Sequence, residues 1–347
     1  MANLQVHRFP QNHYIDSLRW LPQLSAFQHH IILASFNPES STSSLQILNT
    51  SNQELTFQSS LTTPSRITSL KTSQNPNKPL IVASTFSGSL LLYTADLVNG
   101  SLEYLDSVPE KEGFHLGRVN GIDVSENGSE VVSVGEDGRI NLVSFVGGRL
   151  SYKRVFYSNG LVSYGAVKWA SPVEFVSGGL GFGLQWWDQR RPGGPVSQFK
   201  ANWTHGTTSG IVHSIDIHPS RKHTCLAGGS SGTVFAWDLR WQQQPIMLSG
   251  VGISDLSALS PSESDVWEVQ YDNYTTSSNY RNISESRVLP AMICSEDGIL
   301  AVIEQGEEPV ELLAEPCAIN SFDIDRQNPS DIVCSLEWES IAILTRS

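Results

Sequence analysis

The chain has 347 residues, 39% hydrophobic and 16% charged, which is enough apolar mass for a sizeable core. Its formal charge of −13 sets the surface against phosphate, so direct nucleic-acid binding and attraction to anionic membrane are not expected. No stretch approaches the ~20 apolar residues of a membrane span, and Met1 to Pro10 lacks an apolar signal core, so a nuclear or cytosolic protein without signal peptide or membrane insertion is expected.

The first predicted element is Leu4 to Phe9, whose period-two alternation reads as a strand. From Ile15 onward a short pattern recurs: an aliphatic or aromatic residue, any residue, usually a small or polar one, then an aliphatic or Phe. It runs Ile15 to Leu18, Ile67 to Leu70, Val119 to Ile122, Tyr164 to Val167, Val212 to Ile215, Val266 to Val269 and Ile319 to Phe322. Successive starts are 52, 52, 45, 48, 54 and 53 residues apart, a spacing at or slightly above the length of a four-stranded propeller blade. After each start comes an apolar strand, a Gly/Ser/Asp turn and another alternating strand, as in Val131 to Val134, Gly135 to Gly138 and Ile140 to Leu142. Asp137-Gly138 and Asp297-Gly298 are hairpin signals, because the tight turn needs positive φ and glycine supplies it without a Cβ clash. Two repeats end the strand in Trp-Asp, at Trp187-Asp188 and Trp237-Asp238, the dipeptide that marks the WD-repeat family. These tryptophans are expected to pack between blades.

The last repeat supplies strands near Ile319 to Asp325, Asp331 to Leu336 and Ser340 to Thr345 and then stops one strand short. Leu4 to Phe9 has the right pattern to complete it, which would remove the exposed edges of an open array. The expectation is therefore all-β: a single seven-bladed WD40-type β-propeller over residues 1–347, with blade seven completed by the N-terminal strand. Three segments exceed what a blade needs. Asn37 to Ser44 reads as a lengthened hairpin loop in blade one, Val108 to Arg118 joins blades two and three, and a polar insertion, 272–290, interrupts blade six.

Reactive groups do not converge in the sequence. The histidines are scattered, His29-His30 reads as a strand end rather than a metal site, and neither an HExxH motif nor a Walker glycine loop occurs. Gly178 to Gly183 superficially resembles a phosphate cradle but lies in a blade-four turn with no helix predicted after it. Cys225, Cys294, Cys317 and Cys334 lack metal-type spacing and read as buried free thiols. Glu136-Asp137 and Glu296-Asp297 are explained by turn formation. The sequons at Asn49, Asn202 and Asn273 read as chance in a Ser/Thr/Asn-rich chain. No enzyme is expected, and no catalytic, cofactor-binding or metal residues.

In WD-repeat propellers the usual docking face carries the turns between second and third strands and the residues flanking the first strand. Carried over to this chain, that face comprises Tyr14, Arg66, Thr68, Phe86, Arg118, Asn120, Glu136, His213, Trp267, Glu296 and Asn320. Trp267 and Phe86 are candidate aromatic anchors, although Trp267 reads equally as a ring packed in the channel wall. Arg66 and Arg118 stand out in an acidic protein.

Val134 to Leu142, Val266 to Val269 and Cys294 to Gly298 resemble the forty-three-kilodalton WD-repeat nucleoporin family, and Trp187 to Arg190, Trp237 to Arg240 and Ser17 to Trp20 fit it. The resemblance implies a scaffold subunit of the Y-shaped complex in the nuclear pore's outer rings, attached to an α-solenoid nucleoporin and supporting mRNA export and protein transport at the nuclear envelope. The chain departs from animal members by its blade-six insertion and by Phe182 where a glycine is expected, which suggests a distant or plant branch. The alternative comes from the two Trp-Asp-x-Arg endings. In substrate receptors of cullin-4-type ubiquitin ligases that arginine, here Arg190 or Arg240, contacts the ligase adaptor.

Overall fold

The computed structural model describes residues 4–25, 28–51, 54–75, 77–109, 113–181, 183–199, 210–240, 245–249, 261–274, 290–305 and 307–347. The alternating segments become strands, and the strands form seven four-stranded antiparallel sheets. After β1 (Leu4–Pro10), blade one is β2 (Tyr14–Trp20), β3 (His29–Asn37), β4 (Thr42–Ser51) and β5 (Glu54–Thr63). Blade two is β6 (Ile67–Thr72), β7 (Leu80–Thr85), β8 (Leu90–Asp96) and β9 (Ser101–Val108). Blade three is β10 (Val119–Val124), β11 (Glu130–Gly135), β12 (Arg139–Val146) and β13 (Arg149–Tyr157). Blade four is β14 (Tyr164–Ser171), β15 (Glu174–Gly179), β16 (Leu184–Asp188) and β17 (Ser197–Phe199). Blade five is β18 (Val212–Ile217), β19 (Thr224–Gly229), β20 (Val234–Asp238) and β21 (Ile246–Ser249). Blade six is β22 (Val266–Tyr271), β23 (Ala291–Ser295), β24 (Ile299–Ile303) and β25 (Val310–Ala314). Blade seven is β26 (Ile319–Ile324), β27 (Asp331–Leu336), β28 (Ser340–Arg346) and β1.

The two ends of the chain close the ring. β1 runs antiparallel to β28, with Leu4 opposite Arg346 and Pro10 opposite Ser340. Pro10 is tolerated there because β1 is an outer strand, whose free edge needs no amide donor. Blade one differs from the sequence reading. Asn37 to Ser44 is no lengthened loop: β3 and β4 run on to pair Asn37 with Thr42, and the excess length is strand. Its Ser/Thr content suggested a loop, yet Ser43 is buried. The blade-six insertion falls between β22 and β23, and its residues 275–289 lie outside the described residues, as do Phe182 and Asn202.

Apolar residues gather between blades rather than at one centre. Among the described residues seven clusters of buried side chains are found, and each joins two successive blades around the ring. Trp187 packs in the cluster of blades three and four and donates its indole N–H to Ser177 Oγ at 2.9 Å. Trp237 packs in that of blades four and five. Each such ring removes on the order of 150–250 Å² from water, so the Trp-Asp tryptophans hold blade to blade.

First strands of neighbouring blades share no backbone ladder, and side chains bridge them instead. Asp123 accepts the Trp169 amide at 2.9 Å, Asp216 the Tyr271 amide at 2.9 Å and Asp323 the Trp20 amide at 2.8 Å, each carboxylate reaching into the next blade. Thr68 donates to the Val119 carbonyl at 2.5 Å and Asn120 to the Tyr164 carbonyl at 2.7 Å. The three carboxylate bonds are charge-assisted, a kind roughly twice as strong as neutral ones such as those of Thr68 and Asn120.

Candidate interaction surface

The seven first strands line a central channel, and their register sets its chemistry. One residue after each repeat start stand Asp16, Thr68, Asn120, Gly165, His213, Trp267 and Asn320; four residues after it stand Arg19, Lys71, Asp123, Lys168, Asp216, Gln270 and Asp323. The first set opens on a cavity of about 950 Å³, the second on one of about 680 Å³ at the opposite end. Arg19, Lys71, Ser214, Ile215 and Glu268 line both, so the two cavities are the mouths of one channel.

The waist is charged, and apart from Lys71 its charged groups are paired internally. Arg19 donates to Glu268, to Ser321 Oγ at 2.8 Å and to the Leu18 carbonyl at 2.6 Å. Lys168 lies 3.3 Å from Asp216 and 3.8 Å from Asp123. Burial, with Arg19 and Lys168 nearby, pushes the Lys71 ammonium down to about 8. Burial pushes the Asp323 carboxyl up, against the pull of Arg19.

Nine of the eleven sequence-derived face residues line the larger mouth: Arg66, Thr68, Phe86, Arg118, Asn120, Glu136, His213, Trp267 and Asn320. Thr68 and Asn120 are tied up in bridging blades. Arg66 is exposed, bonds Asp16 at 2.6 Å and lies 4.7 Å over the Phe36 ring. Arg118 is exposed with its guanidinium 5.9 Å from the Phe86 ring centroid, and Phe86 is itself 58% exposed. Glu136 accepts the Arg118 amide at 3.1 Å. The Trp267 ring lies 4.8 Å from His213 and donates its N–H to Glu296 at 2.7 Å. Glu296 thus joins the mouth through Trp267 without lining it. His213 sits 3.2 Å from Asp265, and burial pushes its imidazole down. Tyr14 opens β2 as an exposed ring outside the cavity.

Sequence reasoning missed four apolar residues exposed on the same face. Trp338 lies in the blade-seven turn, Leu180 in the blade-four turn, and Leu116 and Ile211 just before β10 and β18. For Trp338 a signal existed, since Glu337-Trp338-Glu339 aligns with Glu136-Asp137-Gly138. Arg190 and Arg240 lie at the far end of their blades, after the third strands. Each chelates its own aspartate, Arg190 on Asp188 at 2.8 Å through two nitrogens and Arg240 on Asp238 at 3.0 and 2.6 Å. Arg190, by hydrogen bond and charge, pulls the Asp188 carboxyl down to about 2.

One arrangement has the composition of a catalytic triad. His115 contacts Asp137 through Nδ1 at 3.1 Å and Ser133 through Nε2 at 3.0 Å. His115 and Ser133 are both fully buried, so no substrate reaches them, and the trio holds the blade-three turn against the blade. The four cysteines are free and buried; burial pushes Cys225 and Cys334 up to about 12, which keeps them protonated and inert. Among the described residues no cluster of three or more His, Cys, Asp or Glu could hold a metal ion, and no helix is long and apolar enough to cross a membrane.

Propeller, inter-blade tryptophans and channel face together define a WD-repeat propeller, and the family model for the WD domain, G-beta repeat, matches residues 195–238. That span covers β17 and then β18 to β20, so the sequence repeat begins one strand ahead of the structural blade, the same offset that β1 and β28 close. The chain is 58% identical to the nuclear pore complex protein NUP43 of Arabidopsis thaliana, across 99% of the chain and 98% of that protein. It is 29% identical to nucleoporin Nup43 of Homo sapiens over 50% of the chain and 39% of that protein, and 27% identical to nup43 of Dictyostelium discoideum over 52% and 37%. The chain belongs to the Nup43 family, with the plant form.

Proposed function

We propose that this chain is a scaffold subunit of the nuclear pore complex at the nuclear envelope, seated in the Y-shaped complex of the outer rings against an α-solenoid nucleoporin and neighbouring subunits. It supports mRNA export and protein transport by holding that scaffold together, without catalysis or direct contact with nucleic acid. The observation that carries this reading is the 58% identity with the Arabidopsis pore protein across nearly the full length of both chains. The channel-mouth face supplies the means: exposed Arg118 and Trp338 are residue types that dominate interface energies and exposed Phe86 is one enriched at interfaces.

Affinity capture from nuclear-envelope extract with the full chain as bait tests it. Scaffold nucleoporins are the expected catch, and Trp267→Ala combined with Arg118→Glu should reduce them without unfolding the protein. Recovery of a cullin-4-type ligase adaptor without scaffold nucleoporins, abolished by Arg190→Ala and Arg240→Ala, would replace the pore reading with the ligase one.

A further inference from the structure

In blades two to six the turn from second to third strand passes through a glycine of positive φ, at Gly88, Gly138, Gly181, Gly232 and Gly298. Blade seven has Glu339 there, at φ 59°, its carbonyl held by the Gln11 amide at 2.6 Å. The residue before that glycine is Asp137 in blade three and Asp297 in blade six. Both carboxylates turn inward, Asp137 to His115 and the Leu116 amide, Asp297 to the hydroxyls of Ser262 and Ser295. Blade seven has Trp338 in that place, 65% exposed. Among the described residues no hydrogen bond or ring contact engages the indole. The blade-one turn also lacks the glycine, with Ser41 at φ 52°, but keeps a polar residue before it, Ser40, which bonds Thr42 at 2.7 Å. Blade seven replaces the glycine and puts an exposed ring where blades three and six have an inward carboxylate, the turn's backbone held by the Gln11 amide. Unfavourable local choices of this kind gather at ligand clamps.

The chain itself shows what such a turn is equipped to bind. Arginine lying over an aromatic ring while paired to a carboxylate recurs three times: Arg66 over Phe36 with Asp16, Arg139 over Tyr157 with Asp137, and Arg346 over Tyr274 with Asp272. Trp338 offers the ring, Glu337 beside it is an exposed carboxylate that also accepts the Ala318 amide at 3.4 Å, Glu339 is a half-buried one, and among the described residues no cation of this chain lies over the indole. We propose that Trp338 is an anchor of the docking face and takes an arginine of the scaffold partner, its guanidinium stacked on the indole and its N–H groups directed to Glu337 and Glu339. Arginine suits the site better than lysine because its planar, weakly hydrated head stacks and forks at once. The inference rests on the scaffold reading above and names the chemistry of one contact within it.

Calorimetry of the full chain against the purified short-arm α-solenoid nucleoporin tests it. Trp338→Ala should weaken binding by about tenfold or more at unchanged Tm, whereas Trp338→Phe should keep most of the affinity. Glu337→Gln with Glu339→Gln should weaken binding and flatten its salt dependence. Glu339→Gly should raise the Tm by relieving the positive φ while weakening binding through loss of one carboxylate, so stability and affinity move in opposite directions and the strain of the turn separates from its binding role. On the partner, one surface arginine replaced by alanine should lose no further affinity in the Trp338→Ala background; additivity for every such arginine overturns the assignment. Trp338→Ala within about twofold of wild type overturns the anchor alone if Arg118→Glu still weakens binding, and the whole face if it does not. Failure of the unaltered chain to bind overturns the partner reading and this inference together.

Discussion

His115 illustrates how far single polar side chains determine this fold. The Asn141 amide nitrogen lies 3.0 Å from Nε2 and 2.9 Å from the Phe114 carbonyl, and Arg154 donates to the Asn141 amide oxygen, which fixes the amide's orientation. An amide N–H₂ can only donate, so Nε2 must accept and the ring is neutral, its Nδ1–H donated to Asp137. Burial accordingly pushes His115 below its ordinary 6.5, and does the same to His30, His213, His218 and His223. The unfolded chain therefore binds protons first, so stability is complete above pH 6.5 and falls as the pH drops towards the lower folded values. We expect the urea midpoint to be lower at pH 5.5 than at pH 7.5, with a smaller difference in His115→Gln; an unchanged midpoint would contradict this. Asp16 and Asp323, pushed up by burial, act in the opposite sense, so the comparison with His115→Gln isolates the histidine effect.

Among the elements, β1 carries a distinct burden because it is the one strand supplied from the other end of the chain. Without it the full length of β28 becomes an open edge, a template for pairing with another chain. Deletion of residues 1–10 should lower the Tm and produce concentration-dependent association by size-exclusion chromatography. A deleted chain that melts like the intact one would show that the closure contributes nothing. This strand was legible in the sequence because a seventh repeat one strand short requires a complement, and Leu4 to Phe9 alternates with the right period. The channel-mouth residues were legible for a related reason: one position in each first strand has a fixed direction once the repeat start is known. What the sequence concealed depends on neighbours in space. Ser43 reads as loop and is buried in an extended hairpin, and Leu116, Leu180 and Ile211, in connecting segments whose side-chain directions no strand period fixes, stand on the surface. Trp338 lies in a turn without the Asp-Gly signal that marks the turns of blades three and six.

At the scale of the ring, ion pairs cross several blade interfaces, and those at the seam, beside the blade that the chain ends close, include the most deeply buried, Arg346–Asp272. Between blades six, seven and one lie the ion pairs Arg19–Glu268, Arg346–Asp272 and Arg8–Glu315, the first two buried or nearly so. Arg346 reaches Asp272 through two nitrogens at 2.8 and 3.0 Å, donates to the Pro329 carbonyl at 2.6 Å and lies under the Tyr274 ring. Apolar packing alone tolerates a shifted register, whereas a bidentate pair fixes β28, and hence β1, at one position. A buried pair of this kind is weak evidence for net stability, but removal of one partner strands a charge, at a cost of roughly 3–5 kcal/mol. Asp272→Asn should therefore lower the stability to urea by about that amount, while Asp272→Leu with Arg346→Met should recover most of it. If the double variant recovers its stability but its melting transition broadens, the pair serves to specify the register of closure. If it is no more stable than the single variant, the seam is held by the apolar cluster of blades six and seven, and the ion pair follows from the closed ring rather than directing it.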